Sequence, residues 1–423
     1  MPRQLTPGEE IQGYIIVEHI TQGSSAHIYR ATGPDRRSIF LKQYTEPTPK
    51  GTDWYAGYVL HMDEMYRRIL AGRARHYCVS RVAAFEARVG GLAYYQAFEF
   101  VERGMSLEAQ ILEDEAASAS GKRVDEWWRR RLAWARVLTA GIAALHEAEI
   151  VHCDLKLENV YLRADPHSKT GYQLKLIDMD RSLLVGRIAP WITGPSDTYT
   201  GTMPWYSPEH VQGRTPVLAS DVFTLGLILY RTLTGRNPYF TSIGKAYADM
   251  VRGHIAPTPK FLGPFPDDGH RRELGSFLRR ALAPDPKLRP SAQDIHALLL
   301  ESAGKAERPT PVPPRTGWSG SPPPRLVLED GRGQCLDFGL TMPLGRRLLE
   351  SFGPDSRFTD AHQCTIERRS DGWFLVPRSG TTNPTLLNGV QIAEPTQLRE
   401  GNIVAVGRPS APKLQLTVRF RAK

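Results

Sequence analysis

Two short stretches in the middle of the chain place side chains that can act on phosphate close together in sequence. Residues 151–162 read VHCDLKLENVYL and residues 174–180 read LKLIDMD. In the first stretch, Asp154 precedes Lys156 by two residues and Asn159 by five, and Asp178 ends the apolar run of the second. A carboxylate can orient a hydroxyl group, an ammonium can offset phosphate charge, and Asn and Asp oxygens suit a hard cation such as Mg²⁺. Each residue alone is more typical of a polar loop, but the ordered set could combine these tasks.

The elements that would position these residues change from strands to helices along the chain. Runs rich in β-branched and aromatic residues predict strands over 14–45 and 92–101, and a helix is predicted over 54–71. From residue 125 onward helices predominate, including one over 221–233. Apolar residues of the helix beginning near residue 125 share one face at helical spacing. They are Trp128, Leu132, Ala135, Ile142 and Leu145. The pattern predicts a small sheet-rich lobe followed by a larger helical lobe.

A proline-rich stretch separates the last hundred residues from the rest. Seven of the 24 residues in 301–324 are proline, which predicts an extended spacer. Beyond it, LQLTVRF alternates apolar and polar residues as a half-buried strand does. Asn388-Gly389 and Asp371-Gly372 are hairpin-turn signals between short strands. Residues 325–423 are therefore predicted to form an all-β sandwich.

Composition excludes several classes of protein. The net charge is 54 − 45 = +9, but the basic residues are scattered without long runs, so a nucleic-acid partner is not expected. The four cysteines lie far apart and form no C-x-x-C pair, so neither a zinc site nor a disulfide framework is expected. No apolar run approaches about 18 residues, so no membrane span is expected. The chain begins without a signal-peptide pattern, and a cytoplasmic location is predicted.

The first 300 residues resemble the eukaryotic-like protein kinase family, in motifs that follow the family's order. HCDLKLEN is similar to the catalytic-loop pattern H-R-D-x-K-x-x-N, and DMD stands where that family has D-F-G. GTMPWYSPEH resembles the end of the activation segment, and PDPKLRPSA resembles the late arginine motif. The resemblance implies an α+β bilobal kinase fold over residues 10–300, with a β-rich N-lobe to about residue 101 and a helical C-lobe from about residue 102.

The resemblance also implies a reaction, the ATP-dependent phosphorylation of Ser or Thr in protein substrates. Asp154 would orient the substrate hydroxyl, and Lys156 would contact the transferred phosphoryl group. Asn159 and Asp178 would hold Mg²⁺, for which Mn²⁺ could substitute. Catalysis in this class is mostly positioning and charge stabilisation, so these few groups would carry most of it.

Nucleotide binding would involve a second set of residues. Lys42, in FLKQY, would grip the α- and β-phosphates, and Glu64 would pair with it from the predicted helix, with Asp63 as the competing partner. Backbone groups would meet the adenine edge, and a glycine-rich turn would cover the phosphates. The adenine-edge positions are Glu99 and Val101, and the positions of the phosphate-covering turn are Gly23 and Ile28.

Three departures from the family pattern favour an alternative, a catalytically dead pseudokinase acting as a scaffold, and a fourth concerns regulation. Ala26 stands where the phosphate-covering loop has glycine, and Phe40 stands where a small residue touches adenine. Asp180 replaces the glycine of D-F-G. Cys153 replaces the arginine that binds a phosphorylated activation segment, which places control by that route in doubt. Because the acid, the lysine, the amide and the metal-binding carboxylate are all retained, an active enzyme is preferred.

The activation segment, residues 178–209, contains several Ser and Thr residues that could be autophosphorylated. They are Ser182, Thr193, Ser196, Thr198, Thr200 and Thr202. A structural role is the alternative for Thr202, in contact with Asp154 and Lys156. Three further positions would be structural by resemblance: an ion pair of Glu209 with Arg289, and Asp221 as a brace of the catalytic loop.

Residues 325–423 resemble a forkhead-associated (FHA) domain, in Gly345-Arg346, TDAH, TNPTLLNG and REGNIVAVG. That family binds phosphothreonine in extended segments. By resemblance, Arg346 and Thr359 would contact the phosphate and Asn383 the peptide backbone, with His362 bracing the loops. Asp360 follows Thr359 where the family often has a basic residue, so a domain used only for packing is the alternative.

The expected partners are protein substrates and phosphothreonine segments. The phosphothreonine could lie in another protein or in the chain itself, at Thr310, Thr316 or Thr198.

Overall fold

In this computed structural model, the N-terminal lobe is built around a twisted antiparallel sheet. The structure describes residues 2–421 apart from 24, 90, 120–123, 169, 195–196, 198, 200–201, 203, 240–255, 264, 266, 302–324, 339–341, 350–351, 361–362, 370–371 and 379. The sheet has the order β1-β2-β3-β4-β6-β5. Its strands are β1 (Glu10–Ile11), β2 (Tyr14–Gln22), β3 (Ala26–Thr32), β4 (Ser38–Tyr44), β5 (Arg81–Arg88) and β6 (Leu92–Glu99). One face is a closed apolar core that includes Tyr29, Leu41 and Tyr95.

Helix α1 (Tyr55–Ala71) accompanies this sheet and buries an apolar and aromatic face. Tyr58, Met62, Met65, Tyr66 and Ile69 recur at helical spacing and are all buried. The predicted helix over 54–71 and the predicted strands are confirmed. Strand β5 was not predicted, although its residues alternate between exposed and half-buried positions.

The C-terminal lobe is mainly helical, as predicted. Its helices are α2 (Leu107–Ala119), α3 (Val124–Glu147), α4 (Pro208–Val211), α5 (Leu218–Thr234), α6 (Asp268–Ala281) and α7 (Ala292–Glu301). The predicted apolar face of α3 is buried throughout, from Trp128 to Leu145. Short strands carry the loops of the site. They are β7 (Met105–Ser106), β8 (Ile150–Val151), β9 (Val160–Ala164), β10 (Tyr172–Leu176) and β11 (Leu183–Leu184).

A buried ion pair joins α4 to the loop before α7. Two guanidinium nitrogens of Arg289 each donate to a carboxylate oxygen of Glu209 at 2.9 Å. The Arg289 side chain is 0% exposed and that of Glu209 is 3% exposed. Burial raises the pKa of Glu209, but the hydrogen bonds and charge of Arg289 outweigh it and leave the pKa below its usual value. The contact that the resemblance implied for this pair is present.

The C-terminal unit is a β-sandwich. One sheet has the order β13-β12-β21-β20-β17-β18 and the other the order β14-β15-β16-β19. The first contains β12 (Arg325–Glu329), β13 (Cys335–Phe338), β17 (Thr385–Leu387), β18 (Val390–Gln391), β20 (Ile403–Arg408) and β21 (Ala411–Arg421). The second contains β14 (Met342–Leu344), β15 (Cys364–Arg369), β16 (Gly372–Pro377) and β19 (Thr396–Gln397), and α8 (Arg346–Leu349) follows β14. Residues of both sheets share one core, with Trp373 at 1% exposure among them.

The Asn388-Gly389 turn was predicted correctly. Both residues have positive φ, at 53° and 79°, between the paired strands β17 and β18. A two-residue hairpin turn of this hand needs positive φ at both positions, which Asn and Gly tolerate best. The predicted spacer over 301–324 lies, beyond residue 301, outside the described residues.

Candidate phosphoryl-transfer site and FHA loops

The loop after β8 holds a closed set of polar contacts around Asp154. The Lys156 ammonium lies 3.0 Å from one carboxylate oxygen of Asp154, and the Thr202 hydroxyl donates to the other at 2.7 Å. Lys156 also donates to the Thr202 hydroxyl oxygen at 2.8 Å. The Asn159 amide donates to the backbone carbonyl of Asp154 at 2.8 Å. The residues that the sequence placed two and five apart therefore meet in space, and Thr202 makes the contacts of its structural alternative.

Asp221, in the first turn of α5, is hydrogen-bonded to the backbone of this loop. Its carboxylate accepts hydrogen bonds from the backbone N–H groups of His152 at 2.7 Å and Cys153 at 3.0 Å. Cys153 has φ of 65°, a conformation that costs free energy for a non-glycine residue. The two hydrogen bonds stabilise that backbone turn, and Asp221 therefore braces the loop that carries Asp154.

Lys42 lies between two carboxylates of the D-M-D turn. Its ammonium is 2.7 Å from Asp178 and 2.9 Å from Asp180, and the residue is 5% exposed. Burial lowers the pKa of Lys42, but both carboxylates raise it, and the net shift is upward. Burial raises the pKa of Asp178, yet the charges of Lys42 and Lys156 pull it well below its usual range. The lysine is thus held as a cation although it is removed from water.

The predicted pairing of Glu64 with Lys42 is wrong. Glu64 accepts hydrogen bonds from Arg67 at 2.8 Å and Arg68 at 2.9 Å, and it also lies 3.7 Å from Arg187 of the activation segment. These residues are three and four positions further along the helix, the spacing at which side chains on one face meet. The competing partner, Asp63, pairs instead with Arg81 at 2.6 Å. Neither acidic residue of α1 reaches the lysine.

The two predicted metal ligands are brought close by the backbone. The N–H of Ile177 donates to the carbonyl of Asn159 at 3.0 Å, which places Asp178 next to the catalytic loop. The Asn159 side chain donates to Asp154 through its nitrogen, a contact that does not use its amide oxygen. A side-chain amide oxygen and a carboxylate fit the oxygen preference of Mg²⁺. The described residues contain no cluster of three or more His, Cys, Asp or Glu that would compose a metal site by itself.

The face of β4 that carries Lys42 also carries an aromatic side chain and faces a second one on β6. Phe40 and Lys42 are two residues apart on β4, so their side chains share one face of the sheet. Phe98 of β6 lies opposite Phe40 on that same face. Phe40 is partly exposed, whereas Phe98 is 3% exposed. The ring that prompted the pseudokinase alternative therefore shares the lysine's side of the sheet.

The predicted phosphate cover is a tight turn. The N–H of Gly23 donates to the Ala26 carbonyl at 2.9 Å, and Ile28 is buried on β3. A Cβ built on Gly23 would lie 3.7 Å from its nearest neighbour, an ordinary contact, so the turn would accommodate a side chain at residue 23.

The predicted adenine-facing segment begins at the end of β6. The N–H of Glu99 donates to the Ser80 carbonyl at 2.9 Å, and the Glu99 carboxylate lies 2.5 Å from the Lys175 ammonium. The carbonyl of Val101 accepts from the N–H of Gly104 at 3.1 Å in the following turn. The backbone in this segment is thus held by neighbouring strands and turns rather than by side-chain packing alone.

An aromatic cluster joins α1 to the activation segment. The Trp191 ring lies 6.0 Å from Tyr58 and 5.4 Å from His61, measured between ring centroids, and 6.5 Å from Trp54. His61 also makes a 2.9 Å hydrogen bond to the carbonyl of Ser182. We name Trp54, Tyr58, His61 and Trp191 the aromatic cluster. Of the proposed phosphorylation positions, Ser196, Thr198 and Thr200 lie outside the described residues, as do Thr310 and Thr316.

The three predicted phosphopeptide residues of the C-terminal unit do not behave alike. Arg346 is exposed, and its Nε donates to the Thr359 carbonyl at 2.8 Å. The Asn383 amide donates to the Phe358 carbonyl at 2.8 Å. Thr359 does not fit its expected role, because its residue is 1% exposed and its hydroxyl donates to the Ser356 carbonyl. That hydroxyl closes the preceding turn instead of facing a ligand.

Two residues near these loops were not identified as determinants from the sequence. The Asp360 carboxylate accepts from the backbone N–H of Thr382 at 2.6 Å and from its hydroxyl at 2.9 Å. Gln363, fully buried, accepts from the Asp360 N–H at 3.0 Å and donates to the Asn383 carbonyl at 2.7 Å. Both tie the turn carrying Thr359 to the loop carrying Asn383, and no local motif in the sequence marks that role for Gln363. His362 lies outside the described residues.

None of the helices in the described ranges combines the length and apolarity needed to cross a bilayer. Comparison with known families matches the protein kinase domain to residues 14–298 and the FHA domain to residues 344–407.

Kinases from animals and bacteria are similar over about half of the chain. Hormonally up-regulated neu tumor-associated kinase homolog of Xenopus tropicalis is 32% identical over 42% of this chain and 23% of its own length. Inactive serine/threonine-protein kinase PLK5 of Mus musculus is 30% identical over 53% of this chain and 35% of its own. Serine/threonine-protein kinase pkn2 of Myxococcus xanthus is 31% identical over 42% of this chain and 21% of its own. The chain thus spans about a third or less of the length of these relatives. Since the kinase match extends over more than half of its residues, the chain belongs to the protein kinase family and carries an FHA domain after its kinase domain.

Proposed function

We propose that the chain transfers the γ-phosphoryl group of ATP to Ser and Thr residues of proteins, its own activation segment included, with Mg²⁺ as the metal. The observation that carries this proposal is the closed contact set of Asp154, Lys156 and Thr202, with Asn159 and Asp178 alongside. Asp154 would accept the proton of the substrate hydroxyl, and Lys156 would offset the charge on the transferred group. Mg²⁺ would supply further charge neutralisation when bound by Asn159 and Asp178.

The decisive experiment is an autophosphorylation assay of the full chain with labelled ATP and Mg²⁺. Wild type should incorporate label, whereas Asp154→Asn and Lys42→Met should incorporate at least about a hundredfold less, because each removes a charge that acts directly on the reacting groups. Arg214→Ala, on the exposed side of Glu209, is a matched control that should keep its activity. Equal labelling of wild type and Asp154→Asn would refute the proposal.

A scaffold without phosphoryl transfer is the second candidate. The position of Phe40 on the lysine's face of the sheet favours it, and one similar protein is itself named inactive. Nucleotide binding discriminates between the candidates, since a ligand that binds only the folded state must raise its melting temperature. A shift with ATP and Mg²⁺ that is accompanied by turnover supports the enzyme. If neither occurs and Phe40→Ala restores binding, the scaffold is the better description.

We further propose that the FHA domain binds phosphothreonine segments, in partners or in this chain. The exposed guanidinium of Arg346 supports this role, because an arginine–phosphate contact is a strong charge-assisted hydrogen bond. The carboxylate of Asp360 opposes it through like charge. Titration of the full chain with a phosphothreonine peptide and its unphosphorylated form tests the proposal. Binding that is equal for the two peptides, or unchanged in Arg346→Ala, would contradict it.

Location in the cytoplasm is part of this proposal. It is supported by the four cysteines, all of which are free thiols in the structure.

A further inference from the structure

The two carboxylates that hold Lys42 are fixed in different ways. One oxygen of Asp180 accepts from Lys42, and the other accepts from the Tyr44 hydroxyl at 2.9 Å. Tyr44 in turn accepts a hydrogen bond from the Gln96 amide at 2.9 Å, and both Tyr44 and Gln96 are buried. Asp180 is therefore the end of a buried hydrogen-bond chain that begins on the central strands of the N-lobe sheet.

Asp178 lacks that restraint. The side chain of Asp178 is 39% exposed, against 11% for that of Asp180. Asp178 follows strand β10, and its backbone has φ of 64° and ψ of 58°. A half-exposed carboxylate can turn from the lysine towards a bound cation. A buried carboxylate fixed through both oxygens cannot do so without breaking two hydrogen bonds.

We propose that Asp180 is the positioning residue that holds Lys42 for the nucleotide phosphates and so frees Asp178 for the metal ion. This inference rests on the proposed kinase function and deepens it. It gives a role to the residue that replaces glycine in the D-M-D turn. It also explains how the site dispenses with an acidic residue of α1, since Glu64 is engaged with Arg67 and Arg68.

The physical reason is that a buried ammonium needs an anionic partner in every state of the cycle. If Asp180 were uncharged, Asp178 would be the sole carboxylate in contact with Lys42 among the described residues. The lysine and the metal would then compete for one carboxylate. With Asp180 present, the metal can take Asp178 while the lysine keeps its orientation.

The test compares Asp180→Asn and Asp180→Gly with wild type and with Glu64→Gln in the full chain. Initial rates of autophosphorylation against ATP and against Mg²⁺ give kcat, the KM for ATP and the Mg²⁺ midpoint. We expect both Asp180 variants to raise the KM and the Mg²⁺ midpoint about tenfold, as loss of one charge-assisted hydrogen bond predicts. Glu64→Gln should stay within about twofold. If Asp180 only replaces the family's glycine and has no role of its own, Asp180→Gly should be as active as wild type or more active. That result would overturn the proposal.

Tyr44→Phe gives a second test that leaves every charge in place. It removes only the hydroxyl that orients Asp180, so the KM for ATP should rise, but less than in Asp180→Asn. Of the three kinetic parameters, kcat should change least. Melting temperatures confirm that each variant is folded. If Asp180→Asn does not fold, an unchanged KM in folded Tyr44→Phe overturns the proposal and a raised KM supports it.

Calorimetric binding of a non-hydrolysable ATP analogue, with and without Mg²⁺, separates the two proposals. Wild type that binds the analogue without transferring phosphate refutes the kinase function alone, and the Kd values of the variants then decide on Asp180. Wild type that neither binds nor transfers refutes both.

Discussion

Removal of Arg289 should destabilise the kinase domain far more than removal of the exposed arginine beside the same carboxylate. Arg289→Ala leaves the buried Glu209 carboxylate with the hydroxyls of Ser207 and Ser220 and with Arg214 at 3.9 Å. It also removes the donors to the carbonyls of Ala219, Ala283 and Pro284. Breaking a buried pair by deleting one partner costs about 3–5 kcal/mol. For a domain of this size that corresponds to a fall in melting temperature of roughly 5–15 °C.

Arg214→Ala is the matched control, since Arg214 lies 3.9 Å from the same carboxylate with 54% of its side chain exposed. Its loss should cost at most about 0.5 kcal/mol. Scanning calorimetry of the full chain measures both variants. A fall of under about 2 °C for Arg289→Ala, or equal falls for the two variants, would refute the assignment of this pair as a buried determinant of stability.

The pH dependence follows from the lowered pKa of Glu209. A carboxyl whose pKa is lower in the folded state stabilises the fold above its unfolded pKa, and that stabilisation is lost as pH falls through the folded pKa. The difference in melting temperature between wild type and Arg289→Ala should therefore be largest near neutral pH and narrow below about pH 4.5. A difference that widens on acidification would contradict this reasoning.

Three further predictions concern other parts of the molecule. Thr202→Val should lower kcat about tenfold or more because it removes the hydroxyl that contacts Asp154, while Thr202→Ser should retain activity in the labelling assay. A maleimide at pH 7.5 should label Cys335 alone in the folded chain and all four cysteines in denaturant, as peptide mass spectrometry can determine. The reason is that the other three thiols are buried, which raises the pKa of Cys78 and of Cys364 to about 12 and that of Cys153 well above its usual value. Gln363→Leu should destabilise the FHA domain by about 2 kcal/mol and speed hydrogen exchange in residues 356–360 and 382–385, because it leaves the Asp360 N–H and the Asn383 carbonyl without their partner. Hydrogen-exchange rates in residues 356–360 and 382–385 that are the same in Gln363→Leu as in wild type would contradict the last prediction. Rapid labelling of a second cysteine in the folded chain would contradict the second.

The catalytic loop could be predicted from the sequence because its residues are neighbours along the chain. Asp154, Lys156 and Asn159 lie within six positions, in the order of the kinase pattern that this stretch resembles. The partner of Lys42 could not be predicted in the same way. On a helix, two positions rotate a side chain by about 200°, so Glu64 and the buried Met62 face different surroundings although they are close in sequence.

Burial limited the prediction of the FHA loops. The chemistry of Thr359 was suitable for phosphate, but its hydroxyl is turned into the fold to close the turn at Ser356. Sequence pattern identifies the type of a side chain and its strand, whereas the direction of a hydroxyl depends on contacts between loops distant in sequence. Gln363 illustrates the same limit, since its side chain contacts Asp360 in one turn, and Asn383 and Thr385 in the loop and strand β17 about twenty residues further along.

The aromatic cluster bears on how the contact between α1 and the activation segment should respond to ionic strength. In this domain α1 meets the activation segment through the rings of Trp54, Tyr58, His61 and Trp191, and through a 3.7 Å ion pair of Glu64 with Arg187. Contacts between ions at a surface weaken as salt is added, because the Debye length falls from about 10 Å at 0.1 M to about 3 Å at 1 M. Contacts between aromatic rings depend on apolar burial and ring quadrupoles, not on net charges that salt screens. The Glu64–Arg187 pair should therefore weaken as salt is added, whereas the ring contacts of the aromatic cluster should persist.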